Sequence, residues 1–590
     1  MLPYPHFPAR LVHDLSGIWD FAFLGAVDLD ALNVAEITFT DHLAVPGVFD
    51  ATPTYAGKRG VACYRTEVTS SPGSHAVLRF GACGFNTRVF VDGQSVGRCD
   101  LPYSGFTVEV PVSPNARRTV VVAVDNRYDR IRQPLIEIWY DFYGYGGIYR
   151  DVVWSETAEP CFLDRVRVQI LDAKAGRIRL QVLLRGRLPR HCDLSVVCDD
   201  QAEMTLNNLE VQDAGVCCEV TVPNPQLWSP EHPHLHTVRV GLGSDAITER
   251  FGLRTVAIQG KQILLNGQAL KLKGYCRHEA HAQFGPALPV MQMLQDLQIL
   301  RDMGCNFIRG SHYPQDQRFL DLCDEMGFLV WEEALGWGYN KQQWAAPGFA
   351  GGNVDQTARM VANSYNHPSV IIWGFLNEGG SHLAETRPIY EGCFAAVRQL
   401  DRSRPVTYAS NRIFDGGKDQ HLDLADLIAL NMYPGWYAID REQVRPLEEI
   451  VPFIHHCQKI LGEMGQGDKP FIISEIGAAA LYGWRDQLHA HYSEEYQAEY
   501  LQTVCQEVMA NDGIAGVAIW QFSDCRTYSS ALALGRPRTF NNKGSLDEYR
   551  RPKQAAQVVK AIFRRAVTGR SVRALPATHR KRRNTLAKPV

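Results

Sequence analysis

From Leu270 to the neighbourhood of Asp524 the chain repeats one unit eight times: a short apolar run followed by a helix-length segment. The runs are LKLKGYCRH from Leu270, CNFIRGSHYP from Cys305, GFLVWEE from Gly327, SVIIWGFLNE from Ser369, PVTYAS from Pro405, DLIALNMYP from Asp426, PFIISEIG from Pro470 and GVAIWQFSD from Gly516. Neighbouring parallel strands need a crossover of a dozen or more residues, which a helix supplies, so this alternation predicts a parallel sheet. Eight such units over about 300 residues predict a (β/α)₈ TIM barrel. The segment MQMLQDLQILRDMG places Met293, Leu297, Leu300 and Met303 at helical spacing, which predicts a helix packed on the outside of the sheet, with those residues in the core.

Upstream of that repeat the pattern is all β. Between Leu15 and about Trp154 the alternating runs LSGIWDFAF, CYRTEVTS, HAVLRFGAC, TRVFVDGQSVG and RRTVVVAVDN predict a jelly-roll β-sandwich. In VFVDGQSVG the Asp-Gly pair predicts a tight hairpin, because a type I′ turn needs positive φ at both central positions. From about Pro160 to Val256 the runs RVRVQIL, RIRLQVLL, CDLSVVCD, CCEVTV, HTVRVGL and ITERFGLRTV have the spacing of an immunoglobulin-like β-sandwich. The expected domains are therefore 1–157, 158–257 and 258–567, followed by a basic tail, 568–590, expected to be disordered.

Lys plus Arg number 61 and Asp plus Glu 64, giving a net charge of −3, so no general basic field exists to hold nucleic acid. The tail segment HRKRR could meet an acidic partner, but a solvated extension is the plainer reading. No stretch approaches the roughly 18 apolar residues of a membrane span. Prolines stand where a secretory signal would place its apolar run, and the 15 cysteines form no dense framework, so a cytoplasmic location with reduced thiols is expected. Cys217 and Cys218 read as ordinary strand neighbours facing opposite ways. His278 and His281 form an H-x-x-H spacing without a convincing third ligand, so no metal and no cofactor are expected.

Reactive groups of such barrels sit at the carboxyl ends of strands. Strand one ends in Arg277, His278 and Glu279, strand two in His312, strand three in Glu332 and Glu333, and strand four in Asn377 and Glu378. Strand six ends in Asn431 and Tyr433, strand seven in Glu475, and strand eight in Trp520 and Asp524. This convergence suits a sugar-sized polar ligand. Two carboxyls about 5 to 5.5 Å apart can divide the work of a retaining glycoside hydrolase, and Glu378 and Glu475, three βα units apart, are the pair to face each other. On spacing alone they are equally well two carboxylates in structural ion pairs.

WGFLNEGGSH and FIISEIG resemble the acid and nucleophile signatures of glycoside hydrolase family 2, and DFYGYGGIYR, NGQALKLKGYCRHE, IRGSHYP and WQFSD resemble its other motifs. The resemblance runs from about Leu15 to Phe563. It implies that Glu378 is the general acid/base and Glu475 the nucleophile of a retaining exo-enzyme without a cofactor. Asn377, beside the acid, is a candidate partner for the sugar 2-hydroxyl, Trp520 offers a flat apolar surface for the ring, and His278 and His312 are further candidate sugar contacts. Trp520 is otherwise an ordinary barrel-core tryptophan.

The family leaves the sugar open. Asn541, Asn542 and Lys543 in RPRTFNNKG resemble the N-x-K motif of the family's β-glucuronidases, which implies that Asn541 and Lys543 contact the C6 carboxylate of a uronic acid. A cation beside an amide donor favours that carboxylate through charge-assisted hydrogen bonds that a hydroxymethyl group cannot match. Read without the family, a lysine beside two asparagines is a solvated turn. NMYPGWY resembles the segment whose tyrosines line the pocket, here Tyr433 and Tyr437. Arg536 and Arg538 are further candidate carboxylate donors, and Asp141 is a candidate acceptor for a sugar hydroxyl. Two positions depart from the pattern: Ile476 follows the nucleophile where the family usually has Tyr, and Gly379 stands where many glucuronidases have Pro. The resemblance thus implies a β-glucuronidase, with a β-galacturonidase or mixed β-uronidase as the alternative, a β-galactosidase third, and a catalytically inactive carbohydrate-binding protein as the reading from another class. The expected partner is a small glycoside, and the family's habit implies a homo-oligomer, dimer or tetramer.

Overall fold

A computed structural model of the 590-residue chain describes residues 2–129, 142–336, 344–346, 348–413, 418–437, 447–528 and 536–567. Asp141 and the basic tail lie outside the described residues.

The strands between Leu11 and Thr157 build a sandwich. A six-stranded antiparallel sheet, running Asp41–Val45, Gly17–Gly25, Val61–Thr69, Arg117–Asp125, Asn86–Val91 and Gln94–Cys99, faces a four-stranded sheet of Leu11–Asp14, Val152–Thr157, His75–Phe80 and Phe106–Val110. Period-two alternation sends Trp19, Phe21, Tyr64, Leu78, Val120, Val122 and Trp154 into one shared apolar layer. The hairpin at Asp92-Gly93 has φ of 51° and 79° at its two central residues, and pairs Val91 with Gln94, as an Asp-Gly type I′ turn requires.

The next hundred residues fold as sheets of three and four antiparallel strands, from Cys161–Asp172 to Asp245–Phe251, around Val166, Leu180, Val182, Val196, Val240 and Ile247. Seven strands in this arrangement are an immunoglobulin-like sandwich. Cys217 is exposed and its neighbour Cys218 packs half-buried against the core, so the vicinal pair does alternate across the strand.

The barrel strands are Leu272–Arg277, Phe307–Gly310, Leu329–Glu333, Val370–Gly374, a fifth in two pieces at Val406–Thr407 and Ala409–Ser410, then Ile428–Asn431, Phe471–Ile476 and Gly516–Ile519. All are parallel, and the sheet begins and ends at the two pieces of strand five, on either side of Tyr408. The cylinder therefore closes. The helix Val290–Asp302 buries Met293, Leu297 and Leu300 as its spacing predicts. Helix Gln317–Met326 starts where the Asp316 side chain accepts from the Arg318 N–H and stops at Gly327, whose φ of 71° suits a residue without Cβ. Among the described residues no helix is long and apolar enough to cross a membrane.

Both sandwiches dock on the barrel. Arg150 of the first donates to Glu279 Oε2 at 2.8 Å, and Tyr103 stacks on Tyr313 at 3.9 Å. Arg59 and the Gly144 N–H both bond the Tyr528 hydroxyl, carrying the segment from Phe142 to the barrel mouth. The second sandwich reaches the opposite side, where Arg254 donates to the Pro368 and Val370 carbonyls.

Candidate active site

Strand side chains point alternately into and out of the cylinder, and that alternation sorts the strand-end polar residues into two groups. Arg277, Glu279, Glu332 and Asp524 are taken up by structural partners: Asp296, Arg150, Ser364 and Lys553 respectively. Asn377, Glu378, Asn431, Tyr433, Glu475, His312, His278 and Trp520 converge instead on the mouth.

At the centre of that group is a residue the sequence reading passed over, Arg309 in the middle of strand two. Its guanidinium is fully buried and spans the site: Nη1 donates to Glu475 Oε1 at 2.8 Å, Nη2 to Asn377 Oδ1 at 2.8 Å, and Nε to Glu333 Oε2 at 2.9 Å. An arginine inside an otherwise apolar strand was the available signal, since a buried guanidinium requires facing acceptors. Glu333 also holds His312, whose Nδ1 lies 2.8 Å from its Oε1. Burial and the Arg309 charge push the His312 imidazole down to about 3, so the ring is neutral, and we assign its proton to Nδ1. The ring stacks on Trp520 at 5.0 Å.

Glu475 ends strand seven and is buried. Besides Arg309 it accepts the Tyr433 hydroxyl on Oε2 at 2.7 Å, and His312 Nε2 stands 3.6 Å from Oε1. The neighbouring Ile476 is fully buried in the barrel core, and the phenol beside this carboxylate comes from Tyr433, just past the end of strand six. Gly477 follows because the Trp520 carbonyl passes so close that a Cβ would lie 2.0 Å from it.

Glu378 follows strand four with φ of 51° and is half-buried. Asn431 donates from its single amide nitrogen to Glu378 Oε1 at 2.7 Å and to Asn377 Oδ1 at 2.9 Å, while its Oδ1 accepts from Ser474 Oγ at 2.7 Å. Burial first, and the Glu475 charge second, raise the Glu378 carboxyl to about 7. This is the direction a proton donor at neutral pH needs.

Above the pair lies Lys543, buried, with Nζ donating to the Tyr437 hydroxyl at 2.6 Å and lying 4.7 to 5.7 Å from the ring centres of Tyr437, Tyr433 and Trp436. Burial and then the Arg536 charge hold this ammonium well below the usual lysine range, although Glu475 and Glu378 oppose them. Arg536 is half-buried, and burial lowers its guanidinium to about 10. Arg538 is engaged elsewhere on the loop, donating to Glu548 Oε1 at 2.8 Å and Asn542 Oδ1 at 3.2 Å. Asn542 spends its amide on the Pro537 and Phe540 carbonyls.

Among the described residues several buried polar atoms of this group have no protein partner: Asn377 Nδ2, His278 Nε2, His312 Nε2 and Asn541 Nδ2. Each such atom carries a desolvation cost of about 1–3 kcal/mol until something bonds it. A ligand rich in hydroxyls can satisfy all four. His278 Nδ1 faces the Tyr313 hydroxyl at 3.2 Å, and its ring meets Phe142 of the first sandwich at 4.8 Å. His281 turns instead to Phe284 and the Gln283 N–H, so the two histidines of the H-x-x-H spacing do not share a site. The group of described residues with the spacing of metal ligands is Asp321, Asp324 and His367, where His367 Nδ1 lies 2.6 Å from Asp324 and Arg250 2.9 Å from Asp321.

Comparison with known proteins agrees with this arrangement. Residues 256–567 match the family model described as "Glycosyl hydrolases family 2, TIM barrel domain", and residues 164–254 match "Glycosyl hydrolases family 2". A protein of Streptococcus agalactiae named beta-glucuronidase is 27% identical over 620 residues, which cover 97% of this chain and 98% of that protein. The structure of a beta-galacturonidase from Eisenbergiella tayi bound to galacturonate superposes with a TM-score of 0.84 at 33% identity, covering 95% of this chain and 98% of that one. A Faecalibacterium prausnitzii beta-glucuronidase shares the fold, with a TM-score of 0.82 at 24% identity over 96% of this chain and 99% of that one. Two sandwiches leading to a barrel whose mouth holds paired glutamates, together with these matches over more than half its length, show that the chain belongs to glycoside hydrolase family 2.

Proposed function

We propose that the protein is a retaining exo-β-uronidase, in which Glu378 is the general acid/base, Glu475 the nucleophile, and Lys543 the cation that holds the C6 carboxylate of the sugar. The observation that carries this reading is the division of environment between the two glutamates beside a buried ammonium. Glu378, raised to about 7, can give its proton to the glycosidic oxygen, while Glu475, oriented by Arg309 and Tyr433, attacks the anomeric carbon. Forming that ester removes the negative charge that helps to keep the proton on Glu378. Its pKa then falls, which suits it to draw a proton from the water that releases the sugar. Asn377 Nδ2, left unpaired because Oδ1 accepts from both Arg309 and Asn431, is the donor for the 2-hydroxyl.

The uronide assignment rests on Lys543. Tyr433, Trp436 and Tyr437 stand around it, and no carboxylate pairs with its Nζ among the described residues. A substrate carboxylate would supply the missing counter-charge. β-Glucuronide is the sugar named for the curated relatives, such as those of Streptococcus agalactiae and dog. A second reading, β-galacturonide, is favoured by the 33% identity to the Eisenbergiella tayi enzyme against 23–24% for the bacterial glucuronidase structures. The test is hydrolysis of nitrophenyl β-glucuronide, β-galacturonide and β-galactoside under one set of conditions, with NMR of the first-formed anomer. One of the two uronides should lead with the β-anomer released first. Preference for the galactoside would overturn the role of Lys543, and release of the α-anomer would overturn the roles of the two glutamates.

A further inference from the structure

Where the two sandwiches meet the barrel the protein forms a second cavity, of about 1170 Å³ and open to solvent, which shares none of the residues described above at the catalytic mouth. Its walls come from the amino-terminal segment, both sandwiches and the helix Phe349–Ser364, and they carry eight arginines against four carboxylates. Those carboxylates are already committed or weakened. Asp164 pairs with Arg185 at 2.7 Å, Asp321 with Arg250 at 2.9 Å, and Asp151 faces Arg318 at 3.6 Å. The fourth, Glu249, is raised to about 7 by burial, so near neutral pH much of it carries no charge.

Four arginines of the wall are thus left to neutral acceptors. Arg79 donates to the Asp164 carbonyl at 2.9 Å, Arg165 to Asn363 Oδ1 at 3.0 Å and the Ala362 carbonyl, Arg167 to Gln181 Oε1 at 3.4 Å, and Arg359 to Cys99 Sγ at 3.2 Å. The Nε atoms of Arg79 and Arg167 are buried without a partner. Burial lowers Arg79, to about 10, and Arg165, with the neighbouring arginines adding to it and the nearby Asp164 charge opposing it. Guanidinium groups recognise carboxylate and phosphate through paired N–H donors. The same cavity offers aromatic surface, with Phe80 and Phe106 stacked at 4.7 Å and Tyr4 and His6 at 4.1 Å.

We propose that this cavity binds a small molecule bearing two or more carboxylate or phosphate groups, held by Arg79, Arg165, Arg167 and Arg359. Because its walls belong to both sandwiches and the barrel, such a ligand would tie the three together and raise the melting temperature.

The test is calorimetric titration of the full chain with trigalacturonate, tripolyphosphate and neutral maltotriose, carried out in a Lys543→Met background to silence the mouth. At least one of the two anions should bind while maltotriose does not, and which of them binds identifies carboxylate or phosphate as the preferred group. Arg79→Met and Arg165→Met should each weaken that binding at least 10-fold, and in the otherwise wild-type chain they should leave nitrophenyl-uronide turnover unchanged. Absence of binding by both anions, or binding that survives both substitutions, would overturn the proposal. If the variants fail to fold, hydrogen exchange on the Lys543→Met protein decides. The bound anion should protect the segments around Arg79, Arg165 and Arg359, and protection confined to the barrel mouth would count against the site.

Discussion

Tyr433 donates its hydroxyl to Glu475 Oε2 at 2.7 Å, so the phenol beside this carboxylate comes from the segment that follows strand six rather than from the residue that follows the glutamate in sequence. Ile476 occupies that next position with its side chain in the core. Tyr433→Phe removes a hydrogen bond to a charged group, worth about 1.5–3 kcal/mol, and should lower kcat by roughly 10- to 150-fold. Ile476→Tyr should not restore it, because the added bulk overpacks the barrel. Steady-state kinetics of the single and double variants check both outcomes, and a rescued double variant would refute the assignment.

The raised carboxyl of Glu378 has a pH signature. With Glu378 as the proposed proton donor, kcat/KM should fall as pH rises past about 7. Glu378→Gln should cost about 10²- to 10⁴-fold with a poor leaving group and much less with nitrophenol, whose departure needs little protonation. Glu475→Ala should abolish turnover of every substrate. Activity near wild type in that variant would remove Glu475 from the mechanism.

Arg309 ties Glu475, Asn377 and Glu333 together from within the barrel. Arg309→Met leaves Glu333 and Glu475 without their buried cation, a loss of about 3–5 kcal/mol by analogy with broken buried pairs. The expected result is a lower melting temperature together with lost activity. Arg309→Lys should recover stability better than turnover, since one ammonium cannot reproduce three directed donor groups.

Lys543→Met should damage uronide cleavage through KM, by roughly 10- to 150-fold for the loss of a charge-assisted hydrogen bond. Any residual galactoside cleavage should change little. Because burial holds the free ammonium low, a bound carboxylate should raise it again, so uronide binding should take up a proton and weaken as pH rises. Titration calorimetry in buffers of different ionisation enthalpy measures that proton directly.

His367 offers a stability test far from the chemistry. Its ring lies 2.6 Å from Asp324, whose charge, with that of Asp321, overcomes the burial cost and raises the imidazole to about 9 from the ordinary 6.5. The stabilisation is fully present below pH 6.5 and is lost as pH rises to about 9. The difference in melting temperature between wild type and His367→Gln should therefore shrink across that window.

Much of this protein was legible in the sequence because it is written in local periodicity. The eight apolar runs, the Asp-Gly turn at Asp92 and Gly93, and the helical spacing of Met293, Leu297 and Leu300 each depend on near neighbours, and each is present as read. Glu378 and Glu475 were legible as strand-end residues for the same reason, and both join the hydrogen-bond network at the barrel mouth.

What only the tertiary structure decided is which partners those side chains find. Glu332 and Glu333 are adjacent in sequence, yet one meets Ser364 outside the cylinder and the other Arg309 and His312 within it. Arg538 and Lys543 share one loop, yet the first is bound to Glu548 while the second is caged by Tyr433, Trp436 and Tyr437. The pKa of Glu378, the role of Arg309 and the arginine-lined cavity arise from burial and from charges tens to hundreds of residues away along the chain. A one-dimensional pattern carries the strand's alternation, but the dielectric and the counter-charge around a side chain exist only once the sheet has closed.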